Sequence, residues 1–320
     1  MFKDCIPVIP RVSAEYFLIF PLFQPNNFFM NIGITGGTGF IGHAVQRAAK
    51  ERGDTTVLFS RRGGAGCRLF SATEPLDVSG CGGLVHLAGE SILGLWTKEK
   101  RRRILESRVE GTRRLVEGIA TAPLKPRVLV SASAIGFYGD TGERIVDEDS
   151  PAGSGFLSEV AQAWEAEAIQ AEQYGVRVVR LRIGFVLGRN GGAMKLIRPL
   201  FRLGLGGRLG DGKQWMSCIE VDDLASMVLN CLHDNSISGP VNAVMPKPIT
   251  NEGFTRAAAH AARRPALFPA PAFALRMMLG DLSHLLLDSQ RVIPKGSAAC
   301  GFRYRFGTID SAMKEVFRQR

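Results

Sequence analysis

The sequence has few of the residues that build metal centres and disulfide frameworks. Its six cysteines and five histidines are scattered over 320 residues, with no C-x-x-C pair and no histidine at metal-ligand spacing. Free thiols in a reducing compartment fit this pattern. We therefore expect no metal site, no disulfide bond and a cytoplasmic location.

A long apolar run is also lacking. The most apolar segment, residues 270–287, is interrupted by Arg276, Asp281 and His284, so it is a poor candidate for a membrane span. The apolar stretch near the start is short, contains Pro21 and has no small-residue cleavage pattern behind it. We predict that residues 1–29 form an extension outside the fold, with an extra element or a targeting segment as the alternative.

Positive charge is in excess, with a formal net charge of +10 at pH 7. Such a balance suits a nucleic acid, an anionic membrane or a ligand that carries phosphates. The basic run at residues 98–103 lies on a predicted helix without interleaved aromatic residues, which favours a solvated helix face. We predict a small-molecule substrate of unknown identity, no nucleic-acid or membrane partner, and a monomer or homodimer.

Strands and helices alternate along the first two thirds of the chain. The hydrophobic periodicity predicts strands at 31–35, 55–59, 84–87, 127–132 and 176–183, and helices at 40–52, 97–119 (one helix or two joined) and 157–174. Between residues 61 and 83 there is no helical pattern, so this crossover is shortened. Beyond Gly188 a glycine-rich stretch precedes a helix that Asp222 and Asp223 would cap and that runs to Leu232.

This alternation predicts an α/β fold, a Rossmann-type doubly wound parallel sheet with a smaller, mostly helical C-terminal lobe. The predicted domains are a nucleotide-binding domain at 30–245 and a substrate lobe at 246–320. An insertion at about 189–215 would extend from the first domain toward the lobe.

A glycine-rich turn joins the first strand to the first helix. Its residues are Gly36, Gly37, Thr38, Gly39, Phe40, Ile41 and Gly42. A pyrophosphate needs close backbone approach and gains from a helix N-terminus, and a second strand ends about 20 residues later, as in dinucleotide-binding folds. That strand ends in Ser60-Arg61 rather than in an acid, and a guanidinium pairs well with a 2′-phosphate. The turn therefore predicts NADP(H) as cofactor.

Several further motifs point to one family. They lie at residues 35–42, 86–92, 107–112, 131–133, 163–166, 201–207 and 214–216, and in the tail at 240–243, 271–275 and 289–294. With these motifs the chain, from about Met30 to its end, resembles the extended short-chain dehydrogenase/reductases and, within them, an atypical branch called the epimerase family, which has its own C-terminal domain. The cofactor site is then expected to include Leu87, Ala88, Gly89, Arg108 and Val186.

The resemblance also implies a catalytic tyrosine and lysine four residues apart at the start of the helix after the Ser133 strand. This sequence has Phe156 and Val160 there, and Arg108 stands where the asparagine of the catalytic tetrad is expected. Arg108 could face the cofactor phosphates or an anionic substrate, or it could form a surface ion pair. Without its lysine, a tyrosine with a pKa of about 10 is a poor base at neutral pH.

Three residues are candidates for the missing chemistry. Ser133 could donate a hydrogen bond to a substrate oxygen, Tyr138 lies in the loop at a strand's C-terminal end, and Glu90 could exchange protons if its pKa were raised. The alternatives are a structural serine, a packing tyrosine, and a capping or ion-paired glutamate. Two functions follow: an NADP(H)-dependent oxidoreductase or epimerase-like enzyme, or a catalytically silent NADP(H)-binding sensor.

Overall fold

The computed structural model describes residues 29–318 except 62, 64, 65 and 72, so the predicted extension at 1–29 lies outside the description apart from Phe29. The strands are β1 (Asn31–Thr35), β2 (Thr55–Ser60), β3 (Cys67–Leu69), β4 (Gly83–His86), β5 (Val128–Ala134), β6 (Ile145–Val146), β7 (Arg177–Ile183), β8 (Phe185–Leu187), β9 (Trp215–Met216), β10 (Cys218–Glu220), β11 (Gly239–Ala243), β12 (Ile249–Thr250) and β13 (Arg291–Val292). The helices are α1 (Phe40–Arg52), α2 (Lys98–Thr121), α3 (Phe156–Ile169), α4 (Met194–Arg202), α5 (Val221–His233), α6 (Asn251–Ala262), α7 (Ala272–Leu279), α8 (His284–Leu287), α9 (Lys295–Ala299) and α10 (Ile309–Phe317).

Seven strands form one central sheet in the order β11-β7-β5-β4-β1-β2-β3, and every neighbouring pair is parallel. Because parallel strands need crossover connections, the sheet is covered by helices on both faces. Helices α1 and α5 pack together on one face, and α2 and α3 pack together on the other. The predicted Rossmann-type doubly wound fold is confirmed.

Alternation along the strands divides the apolar side chains between two cores. Ile32 and Ile34 of β1 pack with α1 and α5, whereas Leu84 of β4 and Leu129 of β5 pack with α2. All four side chains are almost completely buried. Because successive residues of a strand point to opposite faces, one short apolar run supplies both cores.

The shortened crossover between residues 61 and 83 is confirmed, since no helix lies between β2 and β4 among the residues described there. The chain instead forms β3, which pairs with β2 at the sheet edge and which the sequence did not predict. A second unpredicted element is α4, within the glycine-rich stretch after Gly188. Pro199 inside this nine-residue helix and the flanking glycines weaken its sequence pattern.

The C-terminal segment is mostly helical, as predicted, and it shares a core with the part of the chain that carries the central sheet. Phe254 of α6 and Met313 of α10 pack with Leu187 of β8 and Phe201 of α4. Two short strand pairs, β6 with β13 and β9 with β12, add backbone bonds between the two parts. None of the described helices is long and apolar enough to cross a membrane.

The start of α5 differs from the prediction. The N-cap is Glu220, whose side chain accepts the N–H of Asp222, while Asp222 and Asp223 lie in the first turn. Asp223 instead accepts the backbone N–H groups of Arg305 and Phe306. Both aspartates are still favourably placed at the positive end of the helix dipole, so the sequence pattern located the helix but not its cap.

Glu220 makes the stability of the fold depend on pH. It is 2% exposed, and burial raises the pKa of its carboxyl from 4.5 to about 7. Because the pKa is higher in the folded state, the protonated carboxyl favours folding. This contribution to the free energy of unfolding is fully present below pH 4.5 and is lost as the pH rises through 7. We expect the stability of Glu220→Gln, which keeps a capping oxygen, to rise relative to that of the wild type by about 2.5 kcal/mol between pH 5 and pH 8.

Urea unfolding of both proteins at the two pH values measures this difference. Glu159→Gln, at an exposed position on α3, serves as the matched control and is expected to follow the wild type. Parallel stability curves for wild type and Glu220→Gln would contradict the assignment.

Candidate functional site

Two cavities open at the carboxyl ends of the sheet strands, where α/β folds bind ligands. The first, named here the glycine-turn cavity, has a volume of about 700 Å³. It is lined by Gly36, Thr38, Gly39, Phe59, Ser60, Arg61, Phe70, Ser71, Leu87, Ala88, Gly89, Glu90, Glu106, Ser107, Glu110 and Gly111. The second, named the apolar cavity, has a volume of about 390 Å³ and lies between the sheet, α3, α4 and the C-terminal segment.

The glycine turn has no room for side chains at two of its positions. Gly36 has φ +69°, and a Cβ there would lie 2.8 Å from the carbonyl carbon of Leu87. A Cβ at Gly42 would lie 2.4 Å from the backbone oxygen of Gly36. Gly39 is the N-cap of α1 and no side chain caps this helix end. The first N–H groups of α1 thus face the cavity end of the turn, as a pyrophosphate site requires.

The other residues predicted at the turn support it from outside. Gly37, Phe40, Ile41 and Gly42 do not line the cavity. The Phe40 ring packs on Gly191. A Cβ at Gly191 would lie 2.1 Å from the Cδ2 atom of the ring.

Val186 lies further off. It pairs with Ile219 between β8 and β10 and lines neither cavity.

The residues at the end of β2 lie at the glycine-turn cavity, as the sequence indicated. Ser60 and Arg61 line it and no acid is present at either position, whereas Arg62 lies outside the described residues. Phe70 and Ser71, at the end of the unpredicted β3, line the same cavity. Sequence reasoning missed them because β3 is too short to show a pattern. Glu106, Ser107, Glu110 and Gly111 of α2 were also missed as lining residues, although motif 107–112 had marked their helix.

A buried histidine connects the strands to α2. His86 Nδ1 lies 2.7 Å from Thr35 Oγ1, and its Nε2 lies 3.1 Å from Thr112 Oγ1. Thr112 donates to the Arg108 carbonyl, so it accepts from Nε2–H, and Thr35 then donates to Nδ1 and accepts the N–H of Ala88. Burial lowers the pKa of His86 to about 4, so the ring is neutral at physiological pH and each polar atom in this chain has a partner.

Arg108 lies between the two cavities. Arg108 lines the apolar cavity, and Gly89 lines the glycine-turn cavity. The two residues are neighbours, since a Cβ built on Gly89 would lie 3.2 Å from the guanidinium carbon of Arg108. Nη1 donates to the backbone oxygens of Glu90 and Ile104, and the guanidinium lies 5.0 Å from the centre of the Trp164 ring. Burial lowers the pKa of Arg108 to about 10, which leaves it charged at neutral pH. Arg108 is therefore not a surface ion pair.

Glu90 does not have the raised pKa that a general acid or base would need. Lys100 Nζ donates to its Oε1 at 2.7 Å, and this hydrogen bond holds the pKa of the Glu90 carboxyl below its usual range. The Glu90 backbone is held by Ser107 and Arg108. Glu90 therefore forms the ion pair that was the alternative, and the raised pKa on which the predicted proton exchange depended is not found.

Ser133 and Tyr138 belong to a buried polar network. Ser133 Oγ donates to Glu165 Oε1 at 2.7 Å, and Arg182 donates to both carboxylate oxygens of Glu165, at 2.8 and 2.9 Å. Arg182 also donates to the Tyr138 hydroxyl, which in turn donates to Asn242. Burial raises the pKa of Tyr138.

Both hydroxyls are therefore already paired inside the protein, at 3% and 1% exposure for Ser133 and Tyr138. Neither residue lines either cavity. Both hydroxyls thus have the structural partners that the alternatives implied, while the roles of Ser133 as a substrate donor and of Tyr138 as the proton donor stay predictions. Glu165 and Arg182 were missed by sequence reasoning, because partners 17 residues apart show no local spacing signal.

Helix α3 faces the apolar cavity where the wider superfamily carries its tyrosine and lysine. Leu157, Val160, Ala161 and Trp164 line the cavity, at the i, i+3, i+4 and i+7 positions of one helix face. Phe156 packs on Trp96, and Arg101 stacks over its ring. Within the described part of the chain, no group of three or more metal-ligating side chains lies close enough to hold a metal ion.

Comparison with known proteins gives matches over most of the chain. Residues 32–243 match the NAD dependent epimerase/dehydratase family, and residues 270–316 match a domain of unknown function, DUF1731. Epimerase family protein YfhF of Bacillus subtilis is 33% identical over 306 residues, which cover 91% of this chain and 99% of that protein.

Solved structures agree. The crystal structure of human epimerase family protein SDR39U1 (isoform 2) with NADPH has a TM-score of 0.84 at 34% identity, covering 90% of this chain and 99% of that chain. A nucleoside-diphosphate sugar epimerase from Corynebacterium glutamicum has a TM-score of 0.77 at 32% identity, covering 91% of this chain and 59% of that chain.

The buried network predicts that two of its residues act on stability and not on ligand binding. We expect Ser133→Ala to cost about 1 kcal/mol of unfolding free energy, because one hydrogen bond to a carboxylate that keeps its other partners is lost. Glu165→Ala is expected to cost about 3–5 kcal/mol, because it removes the carboxylate that pairs with the buried Arg182 charge and leaves Tyr138 as its hydrogen-bond partner.

Urea unfolding and NADPH titration of each variant measure these effects, with Ser226→Ala on the exposed side of α5 as control. The affinity of Ser133→Ala for NADPH is expected to stay within about twofold of the wild type, since no cavity contact is lost. A large loss of NADPH affinity at unchanged stability would restore Ser133 to the site.

Proposed function

This chain belongs to the NAD dependent epimerase/dehydratase family, in the branch that it resembles by sequence, and from that premise we propose that it is an NADP(H)-dependent oxidoreductase or epimerase-like enzyme. Its substrate is an unidentified small molecule bound in the apolar cavity, between the sheet and the C-terminal segment. The chain works without the usual tyrosine and lysine pair.

The observation that carries the proposal is the junction of the two cavities at Arg108. One cavity has a glycine turn and an uncapped helix end suited to a pyrophosphate, and the other is apolar and of the size of a small-molecule site. Arg108 is in contact with both, through Gly89 on one side and Trp164 on the other. A dinucleotide in the first cavity would have its reactive end directed to the second.

The residues present fit NADP(H). Gly36, Thr38 and Gly39 would hold the pyrophosphate by backbone contacts, and Ser60 and Arg61 would bind the 2′-phosphate. The human relative was crystallised with NADPH. When bound, the nicotinamide supplies hydride donation or acceptance. The chain's own contribution is to orient the two ligands and to exclude water from the apolar cavity.

Arg108 is the residue proposed to contact the substrate. Its charge is retained at neutral pH with a pKa of about 10, and its guanidinium is fixed by two backbone carbonyls and by the Trp164 ring. A fixed cationic donor stabilises negative charge that develops on a substrate oxygen. It would stabilise the alkoxide that hydride transfer to a carbonyl forms, and the proton that completes the alcohol would come from water entering the site after the transfer, since the tyrosine and lysine pair is lacking.

A catalytically silent NADP(H)-binding sensor is the second candidate function. It is favoured by one observation: Glu90, Ser133 and Tyr138 are each engaged in ion pairs or hydrogen bonds within the protein. A protein whose three candidate acids and bases are engaged in this way could still bind the cofactor and report its redox state.

The cytoplasmic location and the monomeric or homodimeric state stay predictions.

The choice of NADP(H) over NAD(H) can be tested at Arg61. We expect Arg61→Ala to weaken NADPH binding about tenfold or more, because a charge-assisted bond to the 2′-phosphate is lost, and to change NADH binding less than about twofold. Calorimetric titration with both nucleotides measures the two affinities. Arg144→Ala, at an exposed arginine outside both cavities, is the control. An equal loss for NADPH and NADH would overturn the assignment of the 2′-phosphate site.

Turnover separates the enzyme from the sensor. With a panel of ketones and aldehydes, the enzyme is expected to oxidise NADPH, and Arg108→Met is expected to slow this at least about tenfold because the oxyanion donor is lost. NADPH binding by the variant is expected to persist. Arg103→Met, at an exposed position on the same helix, is the matched control. If the wild type binds NADPH and no compound of the panel is turned over, the sensor is the better description.

A further inference from the structure

We infer that the apolar cavity binds a ketone or aldehyde with an apolar body, and not a nucleotide sugar. The inference rests on the proposed function for the position of the site, and it goes beyond it by naming the substrate class. Three observations carry it: the apolar walls of the cavity, the internal bonding of its polar groups, and the presence of a single cation at the end next to the glycine-turn cavity.

Apolar side chains from several parts of the chain form most of the cavity wall. Helix α3 contributes the face described above, α4 contributes Ile197, Leu200 and Phe201, and α6 contributes Phe254. The segment after α7 adds Leu285 and Leu286. Apolar walls favour a ligand whose body is hydrocarbon, since such contacts gain free energy in proportion to the apolar area removed from water.

Most polar groups of the walls are used by the protein itself. Asn251 accepts the N–H of Leu209, and Ser217 bonds to the backbone at Gln290 and Val292. The Gln290 side chain donates to two backbone oxygens in the loop after β5. A sugar ring needs several free donors and acceptors in its site, because each buried hydroxyl without a partner costs free energy. Few are left by the walls: among the described groups, Trp164 Nε1 and, at one end of the cavity, Arg108 Nε and Nη2 are donors without a partner.

Arg108 is the one cationic side chain among the described residues that line the cavity. A nucleoside diphosphate brings two negatively charged phosphates, which bind where several cations or backbone N–H groups converge. The only acid of the lining, Asp288, would repel them further, although it is paired with His284. One fixed guanidinium instead matches a single carbonyl oxygen.

Arg108 also sets the orientation of such a ligand. Its Nη1 is occupied by two backbone oxygens, whereas its Nε and Nη2 donate to no other residue that the structure describes. Because the guanidinium lies beside Gly89 of the glycine-turn cavity, a carbonyl bound to it lies at the cofactor end. The hydrocarbon body then extends along the apolar wall toward α4.

Direct binding tests the inference without turnover. The probe is menthone, a compact apolar ketone, and the comparator is UDP-glucose, each titrated into the full chain by calorimetry and by quenching of tryptophan fluorescence, since Trp164 and Trp215 line the cavity. We expect menthone to bind and UDP-glucose neither to bind measurably nor to displace it. Tighter binding of UDP-glucose, or no binding of menthone, would overturn the inference.

A matched pair of variants locates the binding. Leu200 and Leu196 lie one turn apart on α4 and are 48% and 65% exposed, but only Leu200 lines the cavity. Because both are well exposed, a serine at either position leaves the fold intact. We expect Leu200→Ser to weaken menthone binding about fivefold, through lost apolar contact, and Leu196→Ser to leave it unchanged.

Equal effects of the two substitutions would show that menthone binds elsewhere and would overturn the inference. Arg108→Met is expected to weaken menthone binding as well. If Arg108→Met does not fold, the comparison of Leu200→Ser with Leu196→Ser tests by itself whether menthone binds in the apolar cavity. NADPH binding by the wild type, measured in parallel, decides the proposed function separately. A protein that binds NADPH and UDP-glucose but not menthone keeps its proposed function and loses only the substrate class.

Discussion

The neutral ring of His86 is the interaction on which both cavities depend. Its two nitrogens bond to hydroxyls on β1 and α2, and through these threonines the same chain of hydrogen bonds reaches the N–H of Ala88 and the carbonyl of Arg108. Ala88 lines the glycine-turn cavity and Arg108 lines the apolar one. A charged imidazole would disrupt this order of donors and acceptors, and burial prevents it by lowering the pKa of His86 to about 4. A structural histidine thus connects residues that line the two cavities.

A second buried polar group, the ion pair of Glu165 with Arg182, engages hydroxyl groups that the sequence had suggested as catalytic donors. The ion pair of Glu165 with Arg182 binds α3 to β7, and it takes the hydroxyls of Ser133 and Tyr138 into the same network. Groups that would elsewhere face a substrate are used here to satisfy a buried charge. Because a buried ion pair is costly unless all its hydrogen bonds are made, the network has little freedom to release them. Among the described residues that line the apolar cavity, Arg108 is the one charged donor, and the role proposed for it is electrostatic.

The two cavities differ in the polarity of their lining and in the parts of the chain that form them. The glycine-turn cavity is formed by the turn at the N-terminus of α1, by strand-end residues and by polar residues of α2 that include Glu106 and Glu110. The uncapped helix end and Arg61 are its favourable contacts for an anionic nucleotide. The apolar cavity is formed where α3 and α4 meet the C-terminal segment, and it is closed by leucine and phenylalanine side chains. Membership in a family named for epimerases therefore does not identify the substrate of this chain, since the walls of the apolar cavity favour a ligand with a hydrocarbon body.

The sequence by itself determined the order of strands and helices, the glycine turn and the end of β2 at Ser60-Arg61, because each of these depends on neighbours within a few residues. Periodicity and glycine positions report such local constraints directly. It did not determine the pairing of β3, the cap of α5 or the fate of Ser133, Tyr138 and Glu90. Those depend on partners brought together by the fold, such as Glu165 for Ser133 and Lys100 for Glu90. Burial and charge pairing act through space, so only the tertiary structure decided which polar side chains remain available to a ligand.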